Sequence, residues 1–262
     1  MAFVERLDAA IERSGSLLCV GLDPDGFEGA AEAERFCLRT LDAALPHACA
    51  VKANLAFFEQ FGSAGYAVLE RLRHRMTPDR VLILDGKRGD IGNTATAYAR
   101  ALFDVLGADA VTVNPLMGHD AVSPFLTHRG RGVFIVARSS NPGAADLLER
   151  PLAGGGRLFE RIVELGLRWD PGGAVGFVAG ATAVDAVRTI RAAAPDAPLL
   201  LPGVGAQGGG LEEAVRAGVD VRAGRLLVAV SRGIAEAHEG PAAASAALAQ
   251  RIAAVRHAEA RA

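Results

Sequence analysis

At 262 residues, half of them hydrophobic, the chain is long enough for one α/β barrel or two smaller domains around a large core. A net charge of −2, with no basic stretch interleaved with aromatics, argues against a nucleic-acid partner, and no apolar run approaches the length of a membrane span. The N-terminus Met1-Ala-Phe-Val-Glu-Arg carries no secretory signal, and Cys19, Cys37 and Cys49, which share no metal-type spacing, read as reduced core thiols of a cytoplasmic protein.

In chain order, Phe3–Arg13 reads as an extra helix, placed to close one end of the fold. Strand-like apolar runs then recur at Leu17–Leu22, Ala48–Ala53, Arg80–Asp85, Ala110–Asn114, Gly132–Ala137, Ala174–Ala179, Pro198–Leu201 and Arg225–Val230. Amphipathic or Ala-rich helical patterns lie between them, among them Phe57–Arg75, Thr94–Leu106, Leu158–Leu167 and Thr182–Ala194. Eight such alternations without a composition break predict a single (β/α)8 TIM-barrel domain spanning residues 1–262. The Gly-, Pro- and Asn-rich stretch Ser139–Gly156 is too long for a simple barrel loop and is expected to be a mobile lid. The tail after Pro241 reads as the last helix.

Basic residues are distributed unevenly. Of the 28 Lys and Arg, only Lys52 and Lys87 are lysines. A guanidinium stays charged at every accessible pH, whereas an amine can give up a proton. Both lysines end strand-like runs, which marks them as candidates for chemistry. The sharpest motif is Asp85-Gly-Lys87-Arg-Gly-Asp90-Ile91-Gly-Asn-Thr94, directly after Val81–Leu84. Strand alternation puts Asp85 and Lys87 on one face, in step with Val81 and Ile83. In a barrel, that face opens at the C-terminal mouth, where active sites form. Lys52 ends the preceding strand in Val51-Lys52-Ala53-Asn54. Asp23, in Gly21-Leu22-Asp23-Pro24, either starts a turn or accepts hydrogen bonds from a sugar hydroxyl. The glycine-rich segment Pro202–Gly210 follows the seventh strand and Ser231-Arg232-Gly233 the eighth. Loops at these two places form the usual phosphate site of a TIM barrel, with Gln207 and Arg232 as side-chain donors. The six histidines form no metal-like group, and no nucleophile elbow is present. Trp169 and the Phe57-Phe58 pair read as core, with Phe57 or Phe58 also placed to line the mouth.

These segments together resemble the orotidine 5′-phosphate decarboxylases, in the bacterial, mycobacterial-type branch. The resemblance is carried by Gly21–Pro24, Val51–Asn54 with Ala56–Glu59, Asp85–Thr94, Ser140-Asn141-Pro142-Gly143, Pro202–Gly209 and Ser231–Gly233, in the family's order over nearly the whole chain. Better-known branches end the eighth strand Gly-Arg-Ser; here the order is Ser231-Arg232-Gly233. The resemblance implies a homodimer with active sites shared across the subunit interface. It implies conversion of orotidine 5′-monophosphate to uridine 5′-monophosphate and carbon dioxide, the last step of de novo pyrimidine synthesis, with no metal and no organic cofactor. It makes Lys87 the proton donor to C6, within a charge array of Lys52, Asp85, Lys87 and Asp90. Asp90 then comes from the other subunit, with Ile91 and Thr94. Asp23 and Lys52 hold ribose hydroxyls, and Ser140 reads the pyrimidine amide edge. Gln207 and Arg232 hold the phosphate, and Asn54 and Pro202 complete the substrate-binding set.

Other readings share parts of this pattern. A keto-sugar phosphate decarboxylase or synthase on the same scaffold places a magnesium ion at the carboxylates and is sensitive to chelation. An aldolase uses a lysine as Schiff base and is trapped by borohydride. A non-catalytic phospho-ligand binding barrel has no need of two amine–carboxylate pairs.

Overall fold

The eight apolar runs pair in sequence order into a closed, all-parallel barrel. Its strands are β1 (Leu18–Leu22), β2 (Ala50–Asn54), β3 (Val81–Arg88), β4 (Ala110–Val113), β5 (Gly132–Arg138), β6 (Val175–Ala179), β7 (Leu199–Leu201) and β8 (Leu226–Val230). The ring closes where β1 pairs with β8, Leu18 opposite Val228 and Val20 opposite Val230. The computed structural model describes residues 1–170, 172–205, 210–219 and 225–259. The strands are buried almost throughout, as parallel strands covered by helices must be.

The helices are α1 (Phe3–Ser14), α2 (Ala30–Ala44), α3 (Ala56–Glu59), α4 (Ser63–Arg75), α5 (Gly92–Arg100), α6 (His119–Leu126), α7 (Ala144–Leu147), α8 (Leu158–Trp169), α9 (Val184–Ala193), α10 (Leu211–Gly218), α11 (Arg232–Ala235) and α12 (Pro241–Glu259). Their packing follows sequence periodicity. Helix α8 buries Phe159, Ile162, Val163 and Gly166, the stripe of a 3.6-residue repeat. Gly166 lets Phe177 of β6 approach so closely that a Cβ would stand 2.7 Å from its ring. Among the described residues, no helix is long and apolar enough to cross a membrane.

Helix α1 does close the N-terminal end. Phe3 packs edge-on against Phe134, centroids 6.0 Å apart, and fills the space where Gly132 lacks a side chain. Asp8 pairs with Arg225, just before β8, at 2.7 Å. Below the barrel, the fully buried Asp109 gathers Arg6 of α1, Arg73 of α4 and Arg131 ahead of β5, and accepts the Leu82 N–H of β3 at 2.9 Å.

Three expectations change in detail. The helix expected over Phe57–Arg75 is two, α3 and α4, because Gly62 takes a left-handed φ of 57° between them. The helix expected over Thr94–Leu106 starts two residues early and ends in a π-helical turn over Ala101–Val105. The Ser139–Gly156 stretch contains the one-turn helix α7, and an isolated bridge pairs its Pro151 with Arg157, just beyond it. It is tied to β5 by the Arg138–Glu149 ion pair at 2.7 Å.

Candidate active site

At the C-terminal mouth lies a cavity of about 350 Å³. Its wall includes Asp23, Lys52, Asn54, Asp85 and Lys87 from the ends of β1 to β3, and Thr112 from β4. Ser139 and Ser140 reach in from the segment after β5, Pro202 and Gly203 from the loop after β7, and Ser231 and Arg232 from the loop after β8. Val178, Leu200 and Ala229 supply an apolar part of the lining.

Strand register explains the convergence. Lys52 lies opposite Gly21 of β1 and Ile83 of β3, and Asn54 lies opposite Asp85. The Lys52 Nζ therefore stands between two carboxylates, 3.3 Å from Asp23 Oδ1 and 3.3 Å from Asp85 Oδ2. Lys87 Nζ lies 2.7 Å from Asp85 Oδ1. Charges alternate along the row Asp23, Lys52, Asp85, Lys87. Each carboxylate of the row is held by a hydroxyl. Ser231 Oγ donates to Asp23 Oδ2 at 2.5 Å, and Thr112 Oγ1 donates to Asp85 Oδ1 at 2.7 Å. The Asn54 N–H also donates to Asp23, at 3.2 Å. Gly21 has to be glycine here, since a Cβ would fall 1.8 Å from Ser231 Oγ.

Burial alone would neutralise these groups, and their mutual attraction prevents it. Desolvation pushes the Asp85 carboxyl up. Lys52, Lys87 and the hydrogen bonds from Lys87 and Thr112 outweigh it and hold the pKa at about 2. Desolvation pulls Lys52 down, and Asp23 and Asp85 more than reverse it, so its pKa is raised. Lys52 is thus a fixed cation, its side chain 6% exposed. Lys87, at 47%, is the amine that faces the cavity's opening. The three cysteines are buried, and burial pushes the thiols of Cys37 and Cys49 up to about 12. They are core residues and poor nucleophiles.

Asp85 and Lys87 meet, but not through regular strand alternation. Lys87 has a φ of 44°, the left-handed region, and the β3–β4 register shifts between Leu84 and Arg88. The backbone turns at Lys87 and its side chain folds back onto Asp85. Phe57 lines the cavity while Phe58 is in the core. Ser139 and Ser140 both reach the wall, and Ser139 donates its hydroxyl to Asn141 Oδ1 at 2.7 Å. Asp90, Ile91 and Thr94 do not line their own chain's cavity. The Asp90 carboxylate accepts the Ile91 N–H at 2.8 Å, and Ile91 and Thr94 are exposed. Gln207 lies outside the described residues. The sequence reading missed Thr112 and the role of Ser231 toward Asp23. Thr112 carried one signal, a polar side chain inside the apolar run Ala110-Val111-Thr112-Val113. Among the described residues, no group of three or more His, Cys, Asp or Glu is arranged to hold a metal ion.

Comparison with known proteins gives this geometry relatives. A family model described as orotidine 5′-phosphate decarboxylase / HUMPS family matches residues 16–248. The orotidine 5′-phosphate decarboxylase of Roseiflexus sp. strain RS-1 is 48% identical over 248 residues, covering 92% of this chain and 91% of that protein. The enzyme of that name from Thermomicrobium roseum is 44% identical, over 89% of this chain and 86% of its own. The solved structure of Leishmania donovani OMP decarboxylase superposes with a TM-score of 0.91 at 38% identity, covering 98% of this chain and all of that one.

Proposed function

Because the chain belongs to the orotidine 5′-phosphate decarboxylase / HUMPS family, and is an enzyme converting orotidine 5′-monophosphate to uridine 5′-monophosphate and carbon dioxide in pyrimidine biosynthesis, we propose that Lys87 is its proton donor. The observation that carries this is the alternating row Asp23, Lys52, Asp85, Lys87 on the cavity wall. Breaking the bond from C6 to the carboxylate leaves an electron pair in an sp2 orbital in the ring plane, which the ring π system cannot absorb. The protein must stabilise that pair electrostatically. The Lys87 ammonium lies beside C6, favours the carbanion, and then delivers its proton to form the C6–H bond as carbon dioxide departs. Asp85, kept ionised, aims the ammonium and repels the substrate carboxylate, and Lys52 keeps Asp85 ionised while holding ribose hydroxyls with Asp23. Each tenfold gain in rate requires about 1.4 kcal/mol, so these contacts act together.

Ser140 reads the pyrimidine amide edge. Gln207 and Arg232 hold the phosphate, with Arg232 already on the cavity wall, where Pro202 packs against the substrate. Asn54 fixes Asp23 through its backbone. The working unit is a homodimer in the cytoplasm, and the single domain of residues 1–262 donates Asp90, Ile91 and Thr94 to its partner's site. Two features support that. These three residues stand outside their own cavity. The loops after β3 and β4 lie side by side, joined by Asn114 N–H to Arg88 O at 2.8 Å, and they expose Ile91, Leu116 and Met117. Clustered exposed apolar side chains mark an interaction surface.

The test is a spectrophotometric assay with orotidine 5′-monophosphate. Wild type turns it over, Lys87→Ala loses turnover while keeping its fold, and Lys87→Arg fails too, because a guanidinium does not release its proton. Near-normal turnover in Lys87→Arg would remove the proton-donor role.

A further inference from the structure

Lys87 is the only non-glycine residue with a left-handed backbone among those described, and something must hold it there. The β3–β4 ladder does not, because its register slips between Leu84 and Arg88 and resumes only where Arg88 pairs with Val113. In the gap, the Lys87 N–H donates instead to a side chain, Thr112 Oγ1, at 2.9 Å. That oxygen has one proton of its own and gives it to Asp85 Oδ1 at 2.7 Å, the same oxygen that Lys87 Nζ approaches at 2.7 Å. The result is a closed ring: Lys87 N–H to Thr112 hydroxyl, hydroxyl to carboxylate, carboxylate to Lys87 ammonium. The hydroxyl's direction is fixed, since an ionised carboxylate accepts only and the amide donates only. Thr112 is 1% exposed, so no water competes for these bonds on its buried side.

We infer that Thr112 is a positioning residue for the reaction, its hydroxyl setting where the Lys87 amine stands by locking both the strained backbone and the carboxylate that aims it. This rests on Lys87 being the proton donor. An ordinary buried threonine satisfies its hydroxyl on a nearby carbonyl and has no hold on a catalytic side chain. Thr112 spans the donor's two ends. Without the hydroxyl, the Lys87 N–H is left unpaired beside a φ that side chains rarely adopt, and Asp85 loses a donor. The backbone is then free to relax, and the ammonium moves relative to C6. Misplacement of a reacting group by about 1 Å costs on the order of 100-fold in rate.

The test replaces Thr112 with Val, which keeps the shape and removes the hydroxyl, and with Ser, which keeps the hydroxyl. Thr112→Val should lower kcat about 10- to 100-fold per folded site. KM for orotidine 5′-monophosphate should stay within about threefold, since ribose and phosphate contacts are untouched. Thr112→Ser should keep kcat within about threefold of wild type, because its hydroxyl restores the ring. Wild-type kcat in Thr112→Val overturns the inference. So does a Ser variant as impaired as Val, or a loss in Val that lies in KM rather than kcat. If Val does not fold, Thr112→Ala is measured against Ser with the same criteria. Lys87→Ala is assayed alongside. Turnover in Lys87→Ala defeats the proton-donor reading itself. An inactive Lys87→Ala beside a fully active Thr112→Val defeats only the role of Thr112.

Discussion

Lys87 holds its left-handed turn at a cost of about 1–2 kcal/mol, which an L-residue pays relative to a normal φ. Its glycine neighbours, Gly86 and Gly89, were visible in the sequence, yet nothing in it said that the lysine would take the strain. That depends on a hydroxyl on the neighbouring strand, far along the chain. The residue types of the charged row were legible because lysine is so scarce in this chain. The hydroxyls that fix them were not, since one Thr or Ser in an apolar run says nothing about what it faces. Asp85 gives this residue-level network a measurable signature. Its folded pKa of about 2 lies below the ordinary 3.8, so ionised Asp85 stabilises the fold above pH 4. That contribution fades as pH falls toward 2. Wild type should therefore lose on the order of 2 kcal/mol between pH 5 and pH 2 through this group alone. Asp85→Asn should be less stable than wild type at pH 5, since Lys87 loses its carboxylate and Lys52 keeps only Asp23, and the gap should narrow by that amount at pH 2. Denaturant melts at both values measure it. Parallel pH profiles for the two proteins would mean that the lysines do not hold Asp85 ionised.

At the level of elements, strand positions followed directly from the apolar runs, and only ends moved, as where β3 runs on to Arg88 through its irregular pairing. The helix over residues 57–75 was misread as continuous. Both halves carry helical periodicity, and a single glycine was too weak a signal to part them. Least legible was Asp109, which joins α1, α4, β3 and the loop before β5 in one buried cluster. In sequence it is one acid in Gly107-Ala108-Asp109-Ala110 with partners about 22 to 103 positions away. Asp109→Ala leaves three guanidinium groups facing one another and the Leu82 N–H unpaired. It should destabilise the fold by about 3–5 kcal/mol while leaving kcat per folded molecule intact, because the cluster sits at the end opposite the cavity. Chemical denaturation with activity measured below the transition checks both. A change under about 1 kcal/mol would reduce the cluster to surface ion pairs.

For the whole molecule, eight alternations without a break made the closed barrel readable, since few topologies accommodate them. What a second subunit adds could not be read from spacing; it came only with the family resemblance. The shared-site proposal has a direct test in two inactive variants, Lys87→Ala and Asp90→Asn, whose subunits are mixed and allowed to exchange. In a mixed dimer, one site carries both lesions. The other takes Lys87 from the Asp90→Asn chain and Asp90 from the Lys87→Ala chain, and is intact. Random exchange of equal amounts should restore roughly a quarter of wild-type activity per subunit, if sites act independently. No recovery, with exchange verified by a size-tagged subunit, would place Asp90 in its own chain's chemistry.

The shortage of lysine, combined with the burial of one of the two, has a practical corollary. Apart from the chain's α-amino group, Lys87 is the one amine an acylating reagent can reach, because Lys52 is 6% exposed and clamped between two carboxylates. A succinimidyl ester should therefore tag Lys87 and spare Lys52 in peptide mass maps, and uridine 5′-monophosphate should protect the tagged position. Equal tagging of both lysines would contradict the geometry. A protein coupled to beads or dyes through its side-chain amines would be attached at Lys87, the proposed proton donor, and a bioconjugate of it would have to be made through a residue engineered elsewhere on the barrel.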